Sequence, residues 1–196
     1  MAQLYESSNP LVRYVHQNRL ASIANELPAQ DGLRVLDAGC GEGQLLEVFD
    51  KKNNRNEYHG VDVTPWALMK AKRRSPRSQF QEANLVNTDY DTESFDLITC
   101  TEVIEHVKGC EHVLSELKRI LKPDGYLIVT FPNEFLWTIS RFVLRRNPVK
   151  VPDHVNAFNP KRMESLVGMV PVKQVQLPFN LPFVISLGCL IKFQNR

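Results

Sequence analysis

A carboxylate followed by three alternating glycines is the feature of this sequence that most directly suggests chemistry. Asp37 ends an apolar run, Gly39, Gly41 and Gly43 follow it, and a helical pattern begins near Gln44. Glycine lets a backbone turn sharply and approach a ligand closely, and open α/β sheets bind nucleotide-like ligands at such loops. The loop therefore predicts a cofactor site, with an ordinary tight turn as the alternative.

A second carboxylate, Asp62, follows the next apolar run, 23 residues after Gly39. An acidic residue about 20 residues beyond a glycine loop can accept hydrogen bonds from both hydroxyls of a ribose. Asp62 is therefore expected to bind the ribose of the cofactor. The alternative is a carboxylate that only ends the strand or caps the next helix.

The spacing and the charge of the loop discriminate between two cofactor classes. A dinucleotide loop has the spacing G-x-G-x-x-G and holds a pyrophosphate on a helix N-terminus, whereas this loop reads G-x-G-x-G after Asp37. A carboxylate at that position repels a pyrophosphate and attracts an ammonium group. S-adenosylmethionine carries an ammonium and a sulfonium and no phosphate, so the pattern favours it over NAD.

A cluster of two carboxylates and an imidazole follows the third apolar run. A helix that begins near Thr101 would place Glu102, Glu105 and His106 on one face, because residues three and four apart are neighbours on a helix. Three interpretations remain open. The residues cap and solvate a helix, His106 or Glu105 acts as a general base, or the three side chains bind a divalent cation. An oxygen-rich set with one histidine suits Mg²⁺ or Mn²⁺.

Short apolar runs that alternate with helical patterns must position these residues. Runs rich in Val, Ile and Leu without strict alternation are typical of parallel strands buried on both faces. A capping side chain followed by proline marks three helix starts, at Asn9-Pro10, Thr64-Pro65 and Asn159-Pro160. The predicted strands are Arg34–Asp37, Tyr58–Val63, Phe95–Cys100 and Tyr126–Phe131. This alternation predicts an α/β fold, a parallel sheet with helices on both faces.

The end of the chain differs from this pattern, since Val172–Leu177 and Phe183–Phe193 follow each other without a helix between them. We expect these two segments to form an antiparallel hairpin at one edge of the sheet. Residues 1–196 are expected to form a single domain without a linker, in which residues 1–30 are an N-terminal helical segment.

Four segments, taken together, resemble the successive motifs of class I S-adenosylmethionine-dependent methyltransferases. They are LDAGCGEG, GVDVTPWALMKAK, SFDLITCTEVIEHV and LKPDGYLIVTFPN, within a similarity that extends from Val35 to Asn133. The resemblance implies a Rossmann-like, seven-stranded, mostly parallel sheet whose last strand is antiparallel. It also implies a cofactor site made of Asp37, Gly39, Gly41, Gly43, Asp62, Val63, Asn84, Leu85 and Thr101. In that site the glycine loop surrounds the methionine part, Val63 packs on the adenine, and Asn84 replaces an acidic residue that binds the adenine amino group.

The pattern ExxEH, from Glu102 to His106, resembles the corresponding part of ubiquinone-pathway O-methyltransferases and of small-RNA 3′-terminal 2′-O-methyltransferases. The resemblance implies a divalent metal, and His154 is a candidate for a further histidine ligand. The metal candidates are then Glu102, Glu105, His106 and His154. Methyltransferases without a metal also carry an EHV-like segment, so we favour His106 and Glu105 as catalytic groups without an obligatory metal.

The segment that matches the family least is residues 134–158. Its first part is apolar over much of a helical surface, and we expect it to cover the substrate. A helix packed on the sheet and a helix that touches a membrane surface are the alternatives.

Composition sets limits on the function. With 43% apolar residues, a chain of 196 residues can bury a core without disulfides or a metal. A net charge of +2 gives no general attraction to nucleic acid or anionic membranes, so a small-molecule partner is expected. Four cysteines without a CxxC pair indicate reduced thiols and a cytoplasmic protein. The longest apolar run, Phe183 to Ile191, is too short to cross a bilayer as a helix.

The sequence therefore predicts an S-adenosylmethionine-dependent methyltransferase that acts on a small molecule, with oxygen as the acceptor atom. Three alternatives remain: a metal-assisted RNA 2′-O-methyltransferase, an NAD-dependent oxidoreductase, and a cofactor-binding protein without catalysis. The glycine spacing and the charge of Asp37 oppose the oxidoreductase.

Overall fold

Seven strands form one sheet in the computed structural model, which describes residues 7–143, 145 and 153–196. The apolar runs found in the sequence supply its central strands. The strands are β1 (Arg34–Ala38), β2 (Glu57–Asp62), β3 (Gln79–Glu82), β4 (Phe95–Thr101), β5 (Leu121–Pro132), β6 (Val170–Leu177) and β7 (Gly188–Gln194).

The strands follow the order β3-β2-β1-β4-β5-β7-β6 across the sheet. β1 to β5 run parallel, and β7 pairs antiparallel with both β5 and β6. Val35 of β1 lies opposite Tyr58 of β2 and Leu97 of β4, so the order runs outward from β1 in both directions. The predicted fold, a Rossmann-like and mostly parallel sheet with an antiparallel last strand, is confirmed.

The described part of the chain contains six α-helices, and three of them start at the predicted Asn-Pro and Thr-Pro signals. Asn9 accepts a hydrogen bond from the backbone N–H of Leu11, and Asn159 accepts one from Arg162. Thr64 precedes a helix as predicted, but its side chain makes no capping bond. The helices are α1 (Pro10–Ala24), α2 (Gln44–Lys52), α3 (Pro65–Arg74), α4 (Cys110–Ile120), α5 (Glu134–Val143) and α6 (Pro160–Val167).

Apolar side chains are buried on both faces of the sheet, as the runs without alternation predict. Leu36 and Ile98 belong to the core on one face, together with residues of α4 and α6. Val35 and Leu97 belong to the core on the other face, together with residues of α2 and with Ile23 of α1. All four cysteines are buried and free, in agreement with the expectation of reduced thiols.

Two predictions about strands need correction. β3 was missed because it is a polar strand at the sheet edge in which no residue is buried. The segment Phe183–Phe193 is not one strand, because Phe183–Ile185 forms a 3₁₀ turn and β7 begins only at Gly188. The apolar run signals a strand there, but the side chains of the 3₁₀ turn are not buried. The antiparallel hairpin that the two segments were expected to form is confirmed.

α5 is not packed into the core, since none of its residues is buried. Phe135, Phe142 and Val143 are each 71% exposed. The rest of the predicted covering segment lies partly outside the described residues, which omit residue 144 and residues 146–152. None of the helices in the described ranges has the length and apolar composition that a transmembrane span needs.

His16 of α1 gives the stability of the fold a specific pH dependence. Burial lowers the pKa of His16 to about 4 from an ordinary value of 6.5, and the positive charge of Arg19 acts in the same direction. Between these two values the unfolded chain binds more protons than the folded protein. We therefore expect the free energy of unfolding to fall by up to about 3 kcal/mol, through this group, as the pH drops from 7 to 4.

Chemical denaturation at several pH values measures this dependence. His16→Gln should reduce its slope, whereas the control His112→Gln, at an exposed position of α4, should leave the slope unchanged. An unaltered slope in the His16→Gln protein would contradict the burial of a neutral imidazole at this position.

Candidate functional site

The carboxyl ends of β1, β2 and β4 meet at one edge of the sheet, where the loops that follow them border a cavity. The cavity encloses about 1060 Å³, part of it open to solvent. A cavity at this edge, where the strand order reverses, is the usual ligand site of an open α/β sheet. Six of the residues predicted to bind the cofactor line it: Gly39, Gly41, Asp62, Val63, Asn84 and Leu85.

The alternating glycines are required by the backbone and by close packing. Gly39, Gly41 and Gly43 all have positive φ angles. A Cβ atom at Gly39 would lie 2.3 Å from Cγ2 of Val103, so the loop passes directly against the segment after β4. A Cβ atom at Gly43, which caps α2, would lie 3.0 Å from Ala71 of α3. Gly39 and Gly41 thus border the cavity, whereas Gly43 packs against α3 and is not a lining residue.

Asp62 connects the glycine loop to the start of α3. Its Oδ2 accepts a hydrogen bond from the backbone N–H of Gly41 at 2.8 Å, and its Oδ1 accepts one from Thr64 at 2.9 Å. Each oxygen keeps a further lone pair that can accept from a ribose hydroxyl. Asn84 uses its Oδ1 to accept from the N–H of Val86 at 3.1 Å, so part of its acceptor capacity is already engaged.

Asp37 lies in a smaller cavity next to the first, and Gly39 and Gly41 line both. The residue is only 3% exposed, and its Oδ1 accepts a hydrogen bond from the hydroxyl of Thr99 at 2.8 Å. Burial raises the pKa of Asp37 to about 7, and the charge of Asp62 adds to this shift, while the bond from Thr99 opposes it. A nearby cation would favour the ionised form, so this site suits an ammonium group.

Arg19 of α1 belongs to the site and was missed in the sequence. It is 7% exposed and lines the smaller cavity together with Thr101. Its Nη1 lies 2.9 Å from Oε2 of Glu102. One signal was available, because Arg19 lies on the apolar stripe of α1, four residues after Val15 and four before Ile23. A cation on such a stripe has to find a buried partner.

The prediction of a helix from Thr101 is wrong, and Glu102, Glu105 and His106 do not share one helical face. Glu102 has a φ of 53°, in the left-handed region, and only a three-residue 3₁₀ turn follows it. Besides its ion pair with α1, Glu102 accepts a hydrogen bond from the hydroxyl of Thr130 at 3.2 Å. Its side chain therefore contacts α1 and β5, and Glu102 does not share a helical face with Glu105 and His106.

Glu105 forms a separate group with two histidines. It is 1% exposed, and within the described part of the chain neither of its carboxylate oxygens has a hydrogen-bond partner. Burial, and the charge of Glu102, raise the pKa of Glu105 well above its usual range. One possible ligand atom from each of Glu105, His106 and His154 lies within 4.8 Å of the other two. The structure thus brings together three of the four metal candidates and leaves Glu102 apart.

Both imidazoles are oriented through their Nδ1 atoms. Nδ1 of His106 lies 3.1 Å from the carbonyl oxygen of Asp153, and Nδ1 of His154 lies 2.5 Å from Oε1 of Glu134 in α5. Because carbonyl and carboxylate oxygens accept hydrogen bonds, each Nδ1 carries a hydrogen, and in the neutral form of each imidazole the lone pair is on Nε2. Two imidazoles held in this way beside a buried carboxylate can bind a proton or a cation.

Three kinds of comparison relate this chain to known proteins: a family model, individual relatives and a solved structure. A family model described as a methyltransferase domain matches residues 12–168. The ubiquinone biosynthesis O-methyltransferase of Alkalilimnicola ehrlichii is 28% identical over 157 residues, 74% of this chain and 63% of the relative. The protein of the same name from Glaesserella parasuis is 34% identical over 130 residues, 59% of this chain and 52% of the relative. The chain thus spans between about half and two thirds of these relatives.

A crystal structure gives the third comparison. The YcgJ protein of Bacillus subtilis superposes with a TM-score of 0.72 at 19% identity, covering 92% of this chain and 99% of that one. At this level of identity the similarity shows the fold.

The close approach at Gly39 predicts different effects for two alanine substitutions. Gly39→Ala and Gly41→Ala both place a side chain at positive φ, which is unfavourable by roughly 1–2 kcal/mol. Only Gly39→Ala also forces a Cβ against Val103, whereas no atom of the described residues lies within 4 Å of a Cβ at Gly41. We expect Gly39→Ala to lower the free energy of unfolding by about 1–3 kcal/mol more than Gly41→Ala.

Chemical denaturation measures the difference, and a double-mutant cycle with Val103→Ala tests its origin. The truncation at Val103 should recover part of the loss in the Gly39→Ala protein and none in the Gly41→Ala protein. Equal losses of unfolding free energy in Gly39→Ala and Gly41→Ala would show that the loop can move away from Val103 without a loss of stability.

Proposed function

We propose that this chain, which belongs to the methyltransferase domain family, transfers a methyl group from S-adenosylmethionine to an oxygen atom of a small molecule. The proposal depends above all on the position of the glycine loop between two carboxylates, Asp37 and Asp62. In its ionised form Asp37 repels a pyrophosphate, whereas an ammonium group favours that form. Together the two carboxylates suit a ligand with an ammonium at one end and ribose hydroxyls at the other. This favours S-adenosylmethionine over NAD, and family membership indicates the same cofactor.

In this proposal the methionine part of the cofactor occupies the smaller cavity and the nucleoside occupies the larger one. Asp37 binds the ammonium group, and Arg19, which lines the same cavity, binds the carboxylate. The cavity would then offer one anion and one cation to a zwitterion. Asp62 binds the ribose hydroxyls, and the adenine lies against Val63 beside Asn84.

Methyl transfer requires the acceptor oxygen, the methyl carbon and the sulfur to lie in line. An electron pair of the oxygen forms the new bond to carbon, and the sulfur leaves as a neutral thioether with the electrons of the broken bond. Because a sulfonium is already a good leaving group, orientation is the main contribution of the protein, about 7–11 kcal/mol. A hydroxyl acceptor must also lose a proton. We assign its removal to Nε2 of His106, which lines the larger cavity 4.0 Å from Glu105.

The names of the relatives support oxygen as the acceptor atom, because both are ubiquinone biosynthesis O-methyltransferases. RNA as the acceptor is less well supported, since a net charge of +2 gives little attraction to a polyanion. The four free cysteines support a cytoplasmic location. Contact of α5 with a membrane surface stays an untested alternative.

A metal-assisted form of the reaction is the second candidate, and the buried carboxylate of Glu105 favours it. A carboxylate without a partner among the described residues, close to one ring nitrogen of each of two imidazoles, fits a divalent cation such as Mg²⁺ or Mn²⁺. The Nδ1 bonds to Asp153 and Glu134 orient the imidazoles in the way that outer partners orient metal ligands. A bound cation would stabilise the negative charge left on the acceptor oxygen when its proton is removed.

Binding of S-adenosylhomocysteine tests the cofactor assignment. Asp37 has a pKa of about 7 in the free protein, and the ammonium of the ligand favours its ionised form, so binding releases a proton and becomes tighter as the pH rises. If only the ionised form binds, that form increases from about 9% at pH 6 to about 91% at pH 8. We therefore expect the dissociation constant to fall about tenfold over this range, as measured by isothermal titration calorimetry.

Asp37→Asn should weaken binding and remove its pH dependence. The matched control Asp31→Asn, at an exposed position before β1, should change neither. A folded wild-type protein that binds NAD but not S-adenosylhomocysteine would overturn the proposed function.

The metal hypothesis can be tested without a methyl acceptor, by following Mn²⁺ binding with electron paramagnetic resonance. We expect one bound Mn²⁺ per chain, and a loss of affinity of at least about tenfold in Glu105→Gln and in His154→Gln. Glu111→Gln, at an exposed position of α4, is the control. A wild-type protein that binds no Mn²⁺ would contradict the metal and leave His106 as a base.

A further inference from the structure

Two polar side chains at the smaller cavity have buried atoms that lack a partner. Nε2 of Gln44 and Oγ1 of Thr101 are shielded from solvent, and neither has a hydrogen-bond partner in the part of the chain that the structure describes. Both residues line the smaller cavity. Because a buried amide or hydroxyl is unfavourable without a partner, a ligand in this cavity would satisfy two groups that the protein leaves unsatisfied.

The size of the smaller cavity restricts what can enter it. The cavity offers about 40 Å³ to the centres of atoms the size of water, which suits a few such groups and excludes a ring or a nucleoside. The headgroup of an α-amino acid brings three groups of this size, one ammonium nitrogen and two carboxylate oxygens. In the proposed function this headgroup belongs to the methionine part of the cofactor.

Charge directs the two halves of the headgroup to different walls of the cavity. Asp37 attracts the ammonium, and the hydroxyl oxygen of Thr101 can accept a further hydrogen bond from it. The carboxylate is then left to the cation Arg19 and to the amide N–H groups of Gln44. Arg19 alone holds this carboxylate less firmly, because its Nη1 already lies 2.9 Å from Oε2 of Glu102 and two carboxylates at one guanidinium repel each other.

The glycine loop places Gln44 at the cavity. Gln44 is the first residue of α2 and directly follows Gly43, which has a left-handed conformation with a φ of 77°. The amide of Gln44 donates hydrogen bonds to a carboxylate without adding a charge that would repel the ammonium. A site that donates to one group of a ligand rejects an analogue without that group, since its own buried donor is then left unpaired.

We propose, on the basis of the proposed function, that Gln44 is a specificity-determining residue, which binds the carboxylate of the methionine part together with Arg19 and so makes the protein reject the decarboxylated cofactor. Decarboxylated S-adenosylmethionine keeps the nucleoside, the sulfonium, the methyl group and an ammonium. Asp37 and Asp62 therefore suit both forms of the cofactor, and only the contacts to the carboxylate discriminate between them.

Three thioethers test this role without a methyl acceptor. They are S-adenosylhomocysteine, its decarboxylated analogue with a 3-aminopropyl group on sulfur, and 5′-methylthioadenosine, which lacks the whole headgroup. Calorimetry at pH 8, above the pKa of about 7 of Asp37, gives the dissociation constants. We expect the wild-type protein to bind S-adenosylhomocysteine at least about thirtyfold more tightly than the decarboxylated analogue.

Two variants of Gln44 should change this preference. Gln44→Leu should weaken the binding of S-adenosylhomocysteine about tenfold, and Gln44→Glu, which places a carboxylate against a carboxylate, about a hundredfold. The decarboxylated analogue should bind both variants within about threefold of wild type, so that Gln44→Glu prefers it. 5′-Methylthioadenosine should bind every variant equally, which checks the fold and the nucleoside site. The control Gln17→Glu makes the same change of charge at an exposed position of α1 and should alter none of the three affinities.

The outcomes separate this inference from the proposed function. If Gln44→Leu binds S-adenosylhomocysteine as tightly as wild type does, or if both variants weaken it and its decarboxylated analogue equally, Gln44 does not select for the carboxylate. This inference is then overturned and the proposed function stands. If the wild-type protein binds neither S-adenosylhomocysteine nor 5′-methylthioadenosine, the proposed function and this inference are both overturned.

Discussion

The parallel pairing of β1 with β2 on one side and with β4 on the other fixes the position of the polar groups in the site. Asp37 of β1 lies opposite Gly60 of β2 and Thr99 of β4, so three loops leave the sheet side by side at one edge. Neighbouring strands are only about 4.8 Å apart. The loop after β1 must therefore pass close to its neighbours, and at Gly39 it leaves no room for a side chain. The same closeness allows Asp62 to bind the backbone of the glycine loop.

Burial makes the charges at this edge depend on one another. Glu102 forms an ion pair with Arg19 on α1, and its charge also raises the pKa of Glu105. In the proposed binding mode, the carboxylate of the cofactor would share Arg19 with Glu102. Binding of the cofactor would then change the electrostatic environment of Glu105 through one ion pair, between Arg19 and Glu102. This ion pair joins the N-terminal helix to the segment after β4.

Features encoded over a few residues were predictable, and features that need distant partners were not. The central strands, the glycine loop and the place of Asp62 follow from local patterns of apolar residues and glycine. The role of Arg19 does not, because its partner Glu102 is far away in the chain. The prediction of a helix directly after β4 was also wrong. The i, i+3 spacing of Glu102 and Glu105 suggests a helix, whereas Glu102 has a left-handed backbone conformation. The pairing of Glu105 with His154 depends on a segment that returns from beyond α5.

The order of strands has a consequence for how the chain is made. β7 lies between β5 and β6, although it follows both of them in the sequence. β6 therefore has no strand to pair with while it leaves the ribosome, and the nascent sheet ends at β5 with an unpaired edge of hydrogen-bonding groups. Such an edge is open to pairing with other chains. Translation of the residues up to Gln194 is needed before β7 can pair between β5 and β6, so the antiparallel edge of the sheet is completed last.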